Sequence, residues 1–192
     1  MIGLMTNLRL PTSLSGRSCS PMNVSLFSQI ITESLFADAD TSTVLPANDL
    51  NGVELGVRFS TSVDGKIVGL AYLKSATDNG PHRGSLWSVA DGTLLGQLTF
   101  SDETASGWQT AVFDAPVVVA AGLYYVASYH SDGFYSATGG YFSADHVSGS
   151  LTAPSAGGNG LYSYTYGPNS LLPSSSFNST NYWIDVLFQA SS

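Results

Sequence analysis

The sequence predicts an all-β fold: an antiparallel two-sheet β-sandwich of jelly-roll type, preceded by an N-terminal arm. Three observations carry that expectation. Between Gly84 and Tyr129, apolar runs are broken about every 8 to 12 residues by turn-forming residues, the strand spacing of a sandwich. Asp91-Gly92 stands between SLWSV and TLLGQLTF, which marks a hairpin needing two left-handed positions. VELGVRFS (53–60) alternates, with Leu55, Val57 and Phe59 on one face and Glu54 and Arg58 on the other.

In chain order, residues 1–32 read as a docking arm and residues 33–192 as the sandwich domain. The arm holds the only Cys and two of the six basic residues, with no acidic residue before Glu33. Val24, Phe27, Ile30 and Ile31 have a spacing that suits a helix and nearly as well a strand, so they are candidate docking residues. Cys19 reads as a small apolar filler.

After VELGVRFS, Val63-Asp64-Gly65 turns the chain into KIVGLAYLK, and Asp78-Asn79-Gly80-Pro81 precedes HRGSLWSV. TLLGQLTF, GWQTAVF, PVVVA, LYYVASY and the closing YWIDVLFQ supply the remaining strands, and no helix is expected inside the domain. Residues 131–181 are rich in Gly, Ser, Asn and Tyr, so long loops at one end of the sandwich are expected there.

With 14 Asp and Glu against 6 Lys and Arg, the chain carries a formal net charge of −8. No Lys/Arg cluster offsets it, which argues against nucleic acid and against an anionic membrane surface as partners. No run approaches the ~18 apolar residues of a membrane span. The opening residues lack the form of a secretory signal, since Arg9 and Arg17 flank the wrong side of a short apolar stretch and Pro11 interrupts it. Lysis or assembly is therefore the expected route to any exterior location.

Catalysis finds little support. There is no Gly-x-Ser-x-Gly elbow, and His82, His130 and His146 lack metal-ligand spacing, so no metal or other cofactor is expected and the chain reads as a non-enzyme. Asp64, Asp78, Asp91, Asp102 and Asp114 fall in turn-like sequence, where carboxylates bond nearby backbone. Asp38, Asp40, Asp49 and Asn51 offer hard oxygens suited to calcium, but without an Asp-x-Asp-x-Asp-Gly loop they read as solvated turn residues. A carboxylate pair for glycoside hydrolysis forms only in space, and the sequence leaves it open.

Aromatic residues give the sharper expectation. Tyr129, His130, Tyr135, Tyr141, Tyr162, Tyr164 and Tyr166 are candidate ligand-binding residues, because amphipathic rings suit wet recognition of sugars. Tyr162, Tyr164 and Tyr166 alternate, so in a strand they would share a face; covering the open end of the sandwich is their competing role. Trp87, Trp108 and Trp183 read as core residues. Asp185, within the final apolar strand, is expected to need a buried partner such as Arg, His or Tyr.

Taken together, VELGVRFSTSVDGKIVGLAYLK, GSLW…DGTLL, ETASGWQ, YYVASYH, GGYF and FNSTNYWIDVLF resemble a bacterial family known only as a domain of unknown function. The resemblance covers about Glu33 to Gln189. It implies a carbohydrate-binding-like β-sandwich found beside glycan-active or adhesive modules in surface and secreted proteins, with no established ligand. A domain standing almost alone behind a short arm resembles phage virion components instead. The expectation is a virion-surface protein, a capsid decoration or minor tail or fibre protein. Its arm would dock on other virion or surface proteins or on a second copy, and its loop end would contact host glycans weakly. The alternative is a bacterial carbohydrate-binding module at the cell surface or in a secreted system.

Overall fold

A computed structural model describes residues 32–49, 51–164 and 171–191. The docking residues Val24, Phe27, Ile30 and Ile31, together with Cys19 and Tyr166, lie outside the described residues. Those described form thirteen strands and a single 3-10 turn, Tyr141–Ser143.

Three nested antiparallel pairs organise the sandwich. β2 (Val53–Thr61) pairs with β7 (Tyr124–Ser131), β3 (Gly65–Lys74) with β6 (Gly107–Val119), and β4 (Arg83–Ser88) with β5 (Leu94–Thr99). The first and third pairs share one large sheet, since β4 also bonds β7. β3 and β6 join β13 (Ile184–Ala190) in a second, three-stranded sheet. Nested pairs that alternate between two sheets are the jelly-roll connection. The fold is the antiparallel sandwich expected from the sequence.

Short strands complete the assembly. β1 (Leu45–Asn48) and β8 (Phe134–Ala137) form a separate ribbon. The free edge of β2 takes β10 (Leu151–Ala153) at Ser60 and Thr61 and β11 (Leu161–Ser163) at Glu54 to Gly56. β9 (His146–Ser148) adds to β10, and β12 (Ser175–Ser176) to β11. Between β10 and β11 the buried side chain of Asn159 supplies the missing rungs. Its Nδ2 donates to the Arg58 carbonyl at 2.9 Å, and its Oδ1 accepts from the Arg58 N–H at 2.9 Å. A buried backbone needs both partners, and here one amide side chain provides them.

The core follows the alternation read from the sequence. Leu55, Val57 and Phe59 of β2 meet Ile67, Leu70 and Tyr72 of β3 and Ile184, Val186 and Phe188 of β13, all buried. The opposite face of β2 departs from simple polar-out alternation. Glu54 is only 1% exposed, and Trp87, Val126 and Leu161 form a second buried cluster on that side.

Three local expectations are corrected. The β4–β5 link runs from Val89 to Thr93, a wider reversal than a two-residue turn, and only Gly92 takes a positive φ, 72°. Asp91 still acts as a turn residue, accepting from the Thr93 N–H at 3.1 Å. GWQTAVF and PVVVA are one strand, β6, and not two. Its register jumps from Val112 opposite Gly69 to Val117 opposite Ile67. Pro116 falls in the extra residues of this bulge, where no ladder N–H is required. Trp87 and Trp183 are buried, but Trp108 is 39% exposed. β6 is the outer strand of the small sheet, so the Trp108 ring has the edge of Trp183 beside it, at 6.3 Å, and solvent beyond.

The start and end of the described chain are tied together. Glu33 and Phe188 exchange backbone hydrogen bonds of 2.8 Å. Asp185, 3% exposed, accepts from the N–H groups of Leu35 at 2.7 Å, Phe36 at 2.9 Å and Val186 at 2.7 Å. Its partners are thus backbone amides rather than the Arg, His or Tyr expected. Burial raises the pKa of its carboxyl against the lowering pull of these bonds.

Candidate functional site

A groove of about 250 Å³ opens beside the start of β2, lined by Asp49, Val53, Leu55, Tyr135, Tyr162, Tyr164, Phe177 and Tyr182. Each element delivers its residue for a local reason. Tyr162 lies directly across β11 from Leu55, so its ring joins the core-facing side of the large sheet. Tyr164 follows immediately and is 52% exposed. Tyr135 arrives on β8, whose register places it opposite Ala47 of β1. Asp49 leaves β1 with its N–H donated to the Gly133 carbonyl at 2.6 Å. Phe177, 67% exposed, follows β12, and Tyr182 precedes β13.

Two aromatic pairs wall the groove. Tyr135 stands edge-to-face with Tyr182 at 5.7 Å, and Tyr162 with Tyr164 at 5.6 Å. The Tyr164 hydroxyl donates to Asp49 Oδ2 at 2.6 Å, and that bond, ahead of any burial, pushes the phenol pKa up to about 12. Burial raises Tyr135 and Tyr182 as well, with the Asp49 charge adding to it at Tyr135. These phenols therefore remain neutral donors at physiological pH.

Of the residues expected to bind ligand, Tyr135, Tyr162 and Tyr164 come together here. Tyr129 does not reach a surface. It is fully buried, stacked on Tyr72 at 4.7 Å, and its hydroxyl donates to the Tyr182 carbonyl at 3.2 Å. Tyr141 packs between Phe36 and Trp183, with its hydroxyl 3.4 Å from His146 Nδ1. His130 lies opposite Glu54 on β7, its Nε2 3.1 Å from Asp132. Phe177 and Tyr182 were missed and Asp49 was read as a solvated turn residue, because separate segments bring the three together only in space. The alternation of Val53 and Leu55 was visible, but it marked a core face and not a groove wall.

Two further titratable clusters lie elsewhere. His82, 1% exposed, has Nε2 2.9 Å from Asp78 Oδ1 and Nδ1 2.9 Å from Glu103, so each ring nitrogen faces a carboxylate and the geometry favours the doubly protonated ring. Lys74 Nζ at 2.6 Å and the Tyr72 hydroxyl at 2.8 Å also bond Glu103. Burial alone would lower the His82 pKa, but Asp78 and Glu103 outweigh it and hold it above the ordinary value. Burial likewise opposes the ionised form of Glu103, and its bonds to Lys74, Tyr72 and His82 hold its pKa below the ordinary value. This arrangement ties the end of β3 to the loops around it.

On the opposite face of the large sheet, Trp87 Nε1 donates to Ser128 Oγ at 2.9 Å, and Ser128 donates to Glu54 at 2.5 Å. Burial, opposed by Ser128 and Arg83, pushes Glu54 up to about 7. A carboxyl raised from 4.5 to about 7 contributes stability that is complete below about pH 4.5 and is lost as pH rises through 7. That loss is about 3 kcal/mol. Glu54→Gln, neutral at every pH, is expected to abolish this part of the pH dependence, as read by urea unfolding from pH 5 to 8.

Among the described residues, no group of three His, Cys, Asp or Glu is placed to hold a metal ion. The described groove lining contains one carboxylate, Asp49, and so brings no pair of the kind used in glycoside hydrolysis. The turn reading of the acids holds at Asp40 and Asp91, which accept from the N–H groups of Ser42 at 2.8 Å and Thr93 at 3.1 Å. It is too simple for Asp64, which reaches across to the Ala121 N–H at 2.8 Å, and for Asp114, which lies within β6.

No curated protein matches the chain. Residues 39–184 match the family described as Domain of unknown function (DUF4082), and the chain belongs to that family.

Proposed function

We propose that this domain is a non-enzymatic glycan-binding β-sandwich whose ligand site is the groove between Tyr135, Tyr162, Tyr164, Phe177 and Tyr182. The observation that carries the reading is a concave site with four tyrosines and a phenylalanine around one hydrogen-bonding carboxylate. Apolar ring bodies suit the C–H faces of a pyranose, while phenol hydroxyls and Asp49 suit its hydroxyls. In this reading residues 1–32 mount the module on a larger assembly, a phage virion or a bacterial surface, and repeated copies raise a weak single-site affinity.

The test is binding of the full chain to a broad panel of host and cell-wall glycans, beside a Tyr164→Ala, Phe177→Ala double variant. These are the groove's exposed rings, so the fold is expected to survive their loss. A stacked ring contributes on the order of 1–2 kcal/mol. The double variant should therefore bind about tenfold or more weakly. Binding unchanged in the folded variant would place the glycan site elsewhere, and no binding at high multivalent display would favour a purely structural role.

A further inference from the structure

We propose that the tyrosine groove selects ligands bearing an ammonium group, an amino sugar or a choline-type head group, over neutral and acidic ligands of similar size. The proposal rests on the reading of the groove as a ligand site and names the chemistry it prefers.

Three observations converge on positive charge. First, Tyr135, Tyr162, Tyr164, Tyr182 and Phe177 all line one small space, and aromatic faces carry the negative part of a quadrupole that attracts ammonium groups. Second, the single charged side chain among them is a carboxylate. Asp49 Oδ2 accepts from Tyr164 at 2.6 Å, while among the described residues Oδ1 is approached by the Asn51 N–H at a long 3.4 Å. A carboxylate oxygen has two acceptor sites, so Asp49 retains capacity for a ligand N–H.

Third, no basic side chain competes for Asp49 among the described residues. Lys74 is bound to Glu103, Arg58 lies over the Tyr124 ring, and neither they nor Lys66 and Arg83 line the groove. The formal net charge of −8 further favours the approach of cations. A uronic or sialic acid would instead bring its carboxylate against Asp49 and the ring faces with no compensating cation.

Size narrows the choice. A volume of about 250 Å³ falls below the usual range for drug-sized ligands, roughly 300–1,000 Å³, and suits one sugar unit or one head group.

The experiment titrates the full chain with D-glucosamine, choline, D-glucose, N-acetyl-D-glucosamine and D-glucuronate, following tyrosine NMR signals. At least one ammonium ligand should bind about tenfold or more tightly than glucose, a factor within reach of a good cation–π contact. Glucuronate should bind most weakly. Asp49→Asn, checked for an unchanged melting temperature, should lower ammonium affinity by a larger factor than glucose affinity, so that the preference for ammonium over glucose shrinks. Preference for glucosamine or for choline identifies the source of the ammonium, and either supports the proposal. Equal affinity for glucosamine, choline and glucose, or a preference for glucuronate, overturns ammonium selection while leaving the groove a glycan site. No groove response to any of the five overturns both readings.

Discussion

Asp185→Ala is expected to destabilise the domain by about 3–5 kcal/mol, because it strands buried backbone donors that cost about 1–3 kcal/mol each when left unsatisfied. Asp185 sits on β13 and accepts from Leu35, Phe36 and Val186. One side chain therefore fixes the first described segment against the last strand, assisted by the backbone exchange between Glu33 and Phe188. Asp185→Asn should fall between the two, since its amide keeps one acceptor oxygen and turns an NH₂ toward a backbone donor. Urea unfolding followed by tryptophan fluorescence measures this. A loss below about 1 kcal/mol for the alanine variant would mean that the three amides find other partners.

His82→Leu is the second large effect. The His82 ring lies between Asp78 and Glu103, and its removal leaves two carboxylates in a nearly buried site where, among the described residues, Lys74 is the one cation bonded to either. Breaking a buried ionic contact in this way typically costs about 3–5 kcal/mol. The pH dependence gives a signature that mere loss of packing would not. His82 has a raised pKa in the folded state, so its contribution is complete below about pH 6.5 and is lost as pH rises through the folded value. Glu103 behaves oppositely: its pKa is lowered, so its contribution holds above about pH 4.5 and is lost as pH falls through the folded value. Wild-type protein should show both arms, and the leucine variant should lose the His82 share of the alkaline arm and keep the share that Glu54 contributes. Equal stability of the two proteins at pH 6 would contradict the ionic role assigned to His82.

How much of this was legible in the sequence depends on the kind of signal. β2, β3, β4, β5, β7 and β13 were readable, because alternation and turn residues are local and the burial of Leu55, Val57 and Phe59 follows from period alone. β6 was split in two because Pro116 looks like a strand break, whereas the partner strand tolerates it within a bulge. The short strands between Ser131 and Asn181 were hidden, since β10 and β11 are held by a neighbour and by Asn159 more than by their own propensity.

The site was half visible. Tyrosine spacing pointed to Tyr162 and Tyr164, and Tyr135 was among the candidates. Tyr129 misled because its strand face was already set by Tyr125 and Ala127, four and two residues earlier, which lie in the core. Asp49, Phe177 and Tyr182 belong to three separate segments. Only the closure of the sandwich brings them beside Tyr164, and no local pattern encodes that meeting.

Chemical-shift mapping of the full chain with a saturating amino sugar shows whether the groove receives a ligand. Shifts are expected to concentrate at Asp49, Tyr135, Tyr162, Tyr164, Phe177 and Tyr182, with Tyr129 and Trp87 unmoved in the core. Shifts centred on another surface, or none at any concentration reached, would contradict a ligand site in the groove.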